Sequence, residues 1–293
     1  MNFDPIVLAI VLLAAVLHAL WNALLKGSGD RLLSLGTIIG SGGILCLILM
    51  PFLPVPHQDS WVPLTWSVFF HCGYFAFLVA AYDAGDLSHV YPIARGSGPL
   101  LVALCSGWIL GDVLVLSDWV GIVAISTGIA LLALRIGTGR TNHRALVFAL
   151  ATGVSIAGYT LSDGAGVRGS GHAIAYVIWM TGIESLPLLL FIALFRRDRI
   201  APFLRKDGLR AALGGLVAAT AYGAVVWCYA RGTVAPIAAL RETSVILAAL
   251  IGTRVLGEPF GRSRVVGGGG GGAGARGGGG GGGLGGGPAR PPP

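Results

Sequence analysis

Residues 95–112, RGSGPLLVALCSGWILGD, and residues 241–258, RETSVILAALIGTRVLGE, decide the fold. Laid on one another they match at six of eighteen positions, the Arg, three Leu, one Ala and the Gly, and Asp112 falls opposite Glu258. The Leu and Ala matches carry little weight in an apolar segment. An arginine inside each apolar run, followed at the same distance by a Gly-acid pair, carries far more. Duplication with ionisable residues inside bilayer-length segments is the pattern of a secondary transporter whose substrate site lies between two repeats.

The rest of the chain agrees. Apolar residues make up 54% and charged residues only 11% of the sequence, and the mean hydropathy is +0.79. A soluble domain of this composition would need an implausibly large core, so the bilayer is the solvent for most of the chain. Runs of about 17 to 25 mostly apolar residues fall near 6–25, 32–53, 63–82, 89–111, 117–135, 144–162, 172–195, 209–230 and 234–256, which makes nine spans. The first is not a cleavable signal, because no basic residue precedes it and its core carries His18, Trp21 and Asn22.

The net charge of +7 does not indicate nucleic acid, because the basic residues form no stripe and no aromatic-interleaved patch. Their placement reports orientation. One set of alternate loops holds fourteen Lys and Arg, from Lys26 and Arg31 through Arg196–Arg210 to Arg264, and the other holds Arg168 and Arg231. The positive-inside rule then puts the N-terminus outside and the loop around 196–210 in the cytoplasm. Cys46, Cys72, Cys105 and Cys228 all lie in apolar spans without a CxxC pair, and read as packing residues rather than a redox or metal site.

The loop at 136–143 divides the chain. Residues 1–135 form a first repeat of five spans and residues 136–266 a second in which four are recognisable. An odd number of spans inverts the second repeat relative to the first. The fold expected is therefore all-α integral membrane, two inverted five-helix repeats with the tenth helix missing. Where that helix should begin, residues 267–293 hold 17 Gly with Ala, Arg, Pro and one Leu, a composition that predicts a disordered tail. Gly, Ala, Arg and Pro all have codons made only of G and C, which suggests a frameshifted end. Translating the other frames after Arg264 tests this: without a run of about twenty apolar residues the idea fails, and the tract is a flexible linker.

HALWNALLK (18–26), YDAGDLSHVYPIARGSGPLLVALCSGWILGD (82–112) and YARGTVAPIAALRETSVILAALIGTRVLGEP (229–259) resemble the EamA-type permeases of the drug/metabolite transporter superfamily, over about residues 5–266. The resemblance implies a multi-pass inner-membrane carrier of ten helices in two inverted repeats, exporting amino acids, metabolites or drugs. The HALWN and YPIARG combination is also similar to a subgroup associated with phosphonate utilisation. The chain departs from the family pattern in its missing tenth helix.

Within this frame, His18, Asn22 and Lys26 share one face of the first span, with Trp21 beside them. His18 is a candidate proton carrier, Asn22 a donor and acceptor, and Trp21 an apolar wall for substrate. Lys26 reads as snorkelling to the surface. Around Arg95, the residues Pro92, Gly96, Gly98 and Pro99 predict a weakened or broken helix whose freed backbone could cradle an anion. Arg95 lies roughly 9 Å from the cytoplasmic end at 1.5 Å per residue, and Arg241 about as deep from the opposite face. Together with Tyr91 they form a candidate site for a carboxylate or phosphonate; the alternative is structural pairing or snorkelling. Glu184 is the acidic candidate for proton coupling, or else a partner of Arg241 or Arg95. Glu242 projects about 100° from Arg241, which argues against a salt bridge between these neighbours. His71, Tyr74, Tyr159, Asp163, Tyr222 and Trp227 are further lining candidates, and Asp112 and Glu258 read as caps or gates.

No HExxH, P-loop or GxSxG occurs, and the Asp83 and Asp86 carboxylates are too close in sequence for an aspartyl intramembrane protease; no enzyme activity, cofactor or metal is expected. The function read from the sequence is a permease moving a small polar or anionic metabolite across the cytoplasmic membrane by alternating access. The alternatives are a flippase for a lipid-linked substrate, or an inactive truncated permease. Expected partners are a small-molecule substrate and the lipid bilayer, with a homodimer open, and not nucleic acid.

Overall fold

The computed structural model describes residues 4–25, 31–84, 87–136 and 143–254. For some residues near helix ends, Asn22 and Tyr91 among them, only the backbone is described. Nine α-helices follow in order: α1 (Pro5–Leu25), α2 (Arg31–Leu49), α3 (Trp61–Ala84), α4 (Leu87–Leu110), α5 (Leu116–Ile136), α6 (His143–Gly169), α7 (Ala173–Phe195), α8 (Arg197–Tyr229) and α9 (Val234–Arg254). Two 3₁₀ turns, Met50–Phe52 and Gln58–Ser60, join α2 to α3.

Six described segments are long and apolar enough to cross a membrane, in α2, α3, α4, α6, α7 and α8. Those of α1 and α5 are apolar but shorter, Pro5–Trp21 and Leu116–Leu131. The distribution of side chains is that of a protein in lipid. Leu13, Ile48, Phe69, Leu104, Leu190 and Leu194 stand more than half exposed, whereas Arg95, Asp163, Arg241 and Glu242 are buried. Apolar surface meets hydrocarbon at no cost, while charged groups must find partners inside the bundle.

The two halves of the chain interleave. The helix α3 packs along α6, and α8 along α1; α4 also meets α6, and α9 also meets α1. Helices α2 and α7 pack on each other, as do α4 and α9, while α5 lies against α4 and α9. Small residues allow the close crossings. A Cβ on Gly98 would stand 2.8 Å from Ile156 Cγ2, and one on Gly153 would meet Ser97 and, at 3.2 Å, the carbonyl of Ala94, so α4 and α6 touch nearly backbone to backbone. A Cβ on Gly215 would overlap the Ile38 carbonyl, which brings α8 onto α2 in the same way.

Two expectations need correction. The helix around Arg95 is not broken: α4 runs unbroken from Leu87 to Leu110 with Pro92 and Pro99 inside it. Gly96 and Gly98 serve packing instead, the former bringing Ser126 O to within 3.3 Å of a would-be Cβ. The basic stretch at 196–210 is not a loop, because α8 begins at Arg197 and is 33 residues long. At 1.5 Å per residue that is about 50 Å, against a hydrocarbon core of about 30 Å. Phe203, buried with Leu33, Ile38, Leu188 and Ile192, anchors the extension on α2 and α7.

At one end of the bundle, α4, α6 and α8 finish and α9 begins. Gly111 ends α4 with φ +70°, a conformation that glycine adopts without strain. Asp112 then accepts from Val234 N at 2.9 Å, capping α9, and pairs with Arg168 at 2.8 Å. Arg168 also donates to the carbonyls of Tyr229 (3.0 Å), Gly232 (2.8 Å) and Leu110 (3.4 Å). The Gly-acid pair thus turns one helix and caps another. Its counterpart, Gly257 and Glu258, lies outside the described residues, as do Lys26 and the Gly-rich tract at 267–293.

Candidate functional site

The interior contains charged groups from both halves of the chain, and their partners define the site. Arg95 on α4 and Arg241 on α9 are each 3% exposed, and Glu242 is 0% exposed. Glu242 Oε2 lies 2.7 Å from Arg95 Nε, and Oε1 accepts from Arg241 Nη2 at 2.9 Å and Nε at 3.2 Å. One carboxylate therefore bridges two arginines, three charges with a net of one positive. This arrangement overturns the reading that Arg241 and Glu242 diverge. Their Cβ atoms do leave the helix about 100° apart, but both side chains are long enough to curl together where no water competes.

Arg95 also donates from Nη2 to His18 Nε2 at 3.0 Å. A guanidinium has no acceptor, so that imidazole nitrogen must offer its lone pair. Trp21 stands edge-on to His18, with ring centroids 5.1 Å apart. The helical spacing of three in α1 places Trp21 next to His18, and His18 reaches Arg95.

Beyond the arginines lies an aromatic wall. Arg241 lies 5.9 Å from the Tyr159 ring centroid and 5.7 Å from that of Tyr222, distances at which ring quadrupoles still attract a cation. Tyr159 stacks on His71 with centroids 4.1 Å apart and planes 17° apart. Tyr74 meets the free edge of Tyr159 in a T-shaped contact. The Tyr222 hydroxyl donates to Asp163 Oδ2, and Asp163 is wholly buried one turn beyond Tyr159 on α6.

Glu184 on α7 is drawn to neither arginine. Its Oε2 lies 3.4 Å from His71 Nδ1, which itself faces the Ser67 carbonyl at 3.0 Å. The two residues proposed from sequence for proton coupling therefore occupy different places: His18 touches Arg95, while Glu184 sits behind His71. Arg95 and Arg241 share one buried carboxylate, His18 bonds to Arg95, and Trp21 stands behind His18. Asn22 and Tyr91 fall on α1 and α4, but their side chains lie outside the described residues.

Sequence reasoning missed the role of Glu242 and the Asp163–Tyr222 pair. Both had a signal: a carboxylate in an apolar span must find a donor or a cation, and the chain offers few of either at that depth.

Residues 143–276 match the model of the EamA-like transporter family. No curated protein matches the chain. Among solved structures, one titled only "Crystal structure of protein" is 19% identical with a TM-score of 0.64, covering 86% of this chain and 89% of its own. That likeness shows a fold shared with this structure over most of the chain. The EamA resemblance carried by the sequence motifs therefore stands: this chain is a multi-pass membrane protein with an EamA-like transporter region at residues 143–276.

Proposed function

We propose that the protein is a secondary transporter that moves a small polar or anionic metabolite across the cytoplasmic membrane by alternating access, between two inverted repeats. The observation that carries this is the meeting of Arg95 and Arg241, one from each half and at corresponding positions, on a single buried carboxylate. A purely structural ion pair would not need two arginines from equivalent places in two duplicated segments. The packing supports the repeat reading, since exchanging α1, α2, α3 and α4 for α6, α7, α8 and α9 turns the α3–α6 contact into α8–α1 and the α4–α6 contact into α9–α1. On this reading Arg95 and Arg241 receive the anionic group, Trp21, Asn22 and Tyr91 contribute to the substrate wall, and Glu184 or His18 carries a coupling proton.

Flux into proteoliposomes, measured with amino acid and phosphonate panels, tests the proposal. Uptake that Arg95→Ala and Arg241→Ala each reduce at least tenfold is the expected result. Proton coupling predicts that an imposed pH gradient drives flux and that Glu184→Gln or His18→Gln weakens the response. Flux indifferent to both arginines would sink the site assignment, and flux indifferent to the gradient would sink the coupling.

A further inference from the structure

The Arg95–Glu242–Arg241 bridge has the geometry of an anion site that is already filled. Guanidinium forks bind planar carboxylates and tetrahedral oxyanions through paired N–H donors. Here the Nε and Nη2 edge of Arg241 donates to the protein's own carboxylate, and Arg95 stands in ion-pair contact with it at 2.7 Å. We propose that Glu242 is the resident occupant of an oxyanion site, and that a singly charged oxyanion head group replaces it between the two arginines while Glu242 leaves as the neutral acid. That this head group belongs to a transported molecule rests on the carrier reading above; the exchange itself does not.

The physical argument has two steps. Glu242 is 0% exposed and both arginines only 3%, so an anion reaching the forks must take the volume of the carboxylate. A displaced carboxylate left ionised in the interior would lack a counter-ion, and such burial is strongly unfavourable. Proton uptake from water removes that penalty: one anion enters with one proton, Glu242 changes from carboxylate to carboxylic acid, and the charge between the helices stays constant. The change is also mechanical. Glu242 is the link by which α9 holds Arg95 of α4, so its departure breaks the charged contact between these two helices.

The groups around Glu242 allow the test to be specific. Helix α1 brings His18, α4 brings Arg95, α6 brings Tyr159 and Asp163, and α8 brings Tyr222 and Tyr229. Asp118 of α5 accepts from Val115 N at its own helix start, and His71 with Glu184 forms a layer behind Tyr159. Of these, His18 and Asp163 are the groups whose titration could imitate that of Glu242.

Acetate and methylphosphonate serve as minimal probes, titrated calorimetrically into the full chain in nanodiscs. Expected for the unaltered protein is uptake of about one proton per anion, read from the dependence of heat on buffer. The apparent Kd should rise about tenfold per pH unit from about pH 6 to about pH 8. Glu242→Gln should bind more tightly, about tenfold at the upper end, with a flat pH profile, while His18→Gln and Asp163→Asn keep the slope. Both probes binding would assign the site to oxyanions generally, and one alone would name the head group. Binding without proton uptake would mean that the anion adds beside Glu242, and would overturn the exchange; so would a slope lost in His18→Gln or Asp163→Asn but kept in Glu242→Gln, or no binding of either probe. The proton count needs no variant and survives any folding defect. Proton-linked binding without vesicle flux would refute the carrier reading alone, and flux with pH-independent binding would refute the exchange alone.

Discussion

Helices α4 and α9 share a frame and differ in chemistry. Each carries an arginine, buried to the same degree, that opens an aligned segment of eighteen residues ending in an acid. The next position is Gly96 in α4 and Glu242 in α9. On α4 the absent side chain lets α5 approach, with Ser126 O 3.3 Å from the place a Cβ would occupy. On α9 the same position supplies the carboxylate that both arginines use. On the proposed repeat reading, duplication would supply the two cations and divergence at one position the counter-ion for both. The difference teaches that two aligned helices can each bury an arginine while only one carries the acid that sets the charge.

The largest way to break this comparison is Glu242→Ala, which leaves two buried arginines without their shared partner. We expect a loss of about 3–5 kcal/mol, read from thermal unfolding in detergent, and larger than the loss from Arg95→Ala. If Arg95→Ala costs more, the carboxylate is not the common partner.

Two reciprocal exchanges at the next aligned glycine sharpen the contrast. Gly98 in α4 corresponds to Ser244 in α9. A side chain at 98 would press on Ile156, so Gly98→Ser should destabilise by about 1–3 kcal/mol. Ser244→Gly should cost only about 1 kcal/mol in the same unfolding assay. Equal losses would show that the two crossings are not packed differently.

Arginine-to-lysine replacement compares the grips. Arg241 holds Glu242 through two N–H groups, Arg95 by ion-pair contact at its Nε, and lysine cannot reproduce a fork. Arg241→Lys should therefore lower stability by about 1 kcal/mol more than Arg95→Lys. The smallest effect is expected at the end of α4. Asp112→Asn keeps an oxygen for the α9 cap but loses a partly exposed ion pair with Arg168, worth about 1 kcal/mol or less. A larger fall in Tm would mean that the joint carries more of the fold than its exposure suggests.

Much of this molecule was legible in its sequence, for identifiable reasons. Hydropathy located the helices because a chain in lipid must satisfy its backbone within each segment. The equal spacing of Arg95 and Arg241 from their Gly-acid pairs pointed to residues that do meet. Three things were hidden. The helical start of α8 was masked by its arginines, which read as a loop although arginine is a good helix former. The glycines and prolines of α4 suggested a break, because local propensity says nothing about a neighbouring helix that needs the space. Glu242 was dismissed on Cβ directions, whereas the contact is made three bonds further out by flexible side chains. His18 and Trp21 were legible from helical spacing, but the separation of Glu184 from the arginines depends on how α7 sits against α3, which no local pattern encodes.

Arg168 fastens the ends of α4, α8 and the start of α9 largely through main-chain carbonyls of Leu110, Tyr229 and Gly232. A carbonyl is present whatever residue is encoded there. In genetic terms, this joint presents a very small target: substitutions at 110 and 232 leave its acceptors in place, and compensation by a second-site change among those partners is unavailable. Sensitivity is concentrated at codons 168 and 112, so suppressors of a lost Arg168 should arise elsewhere in the chain, in the helices whose ends it no longer holds.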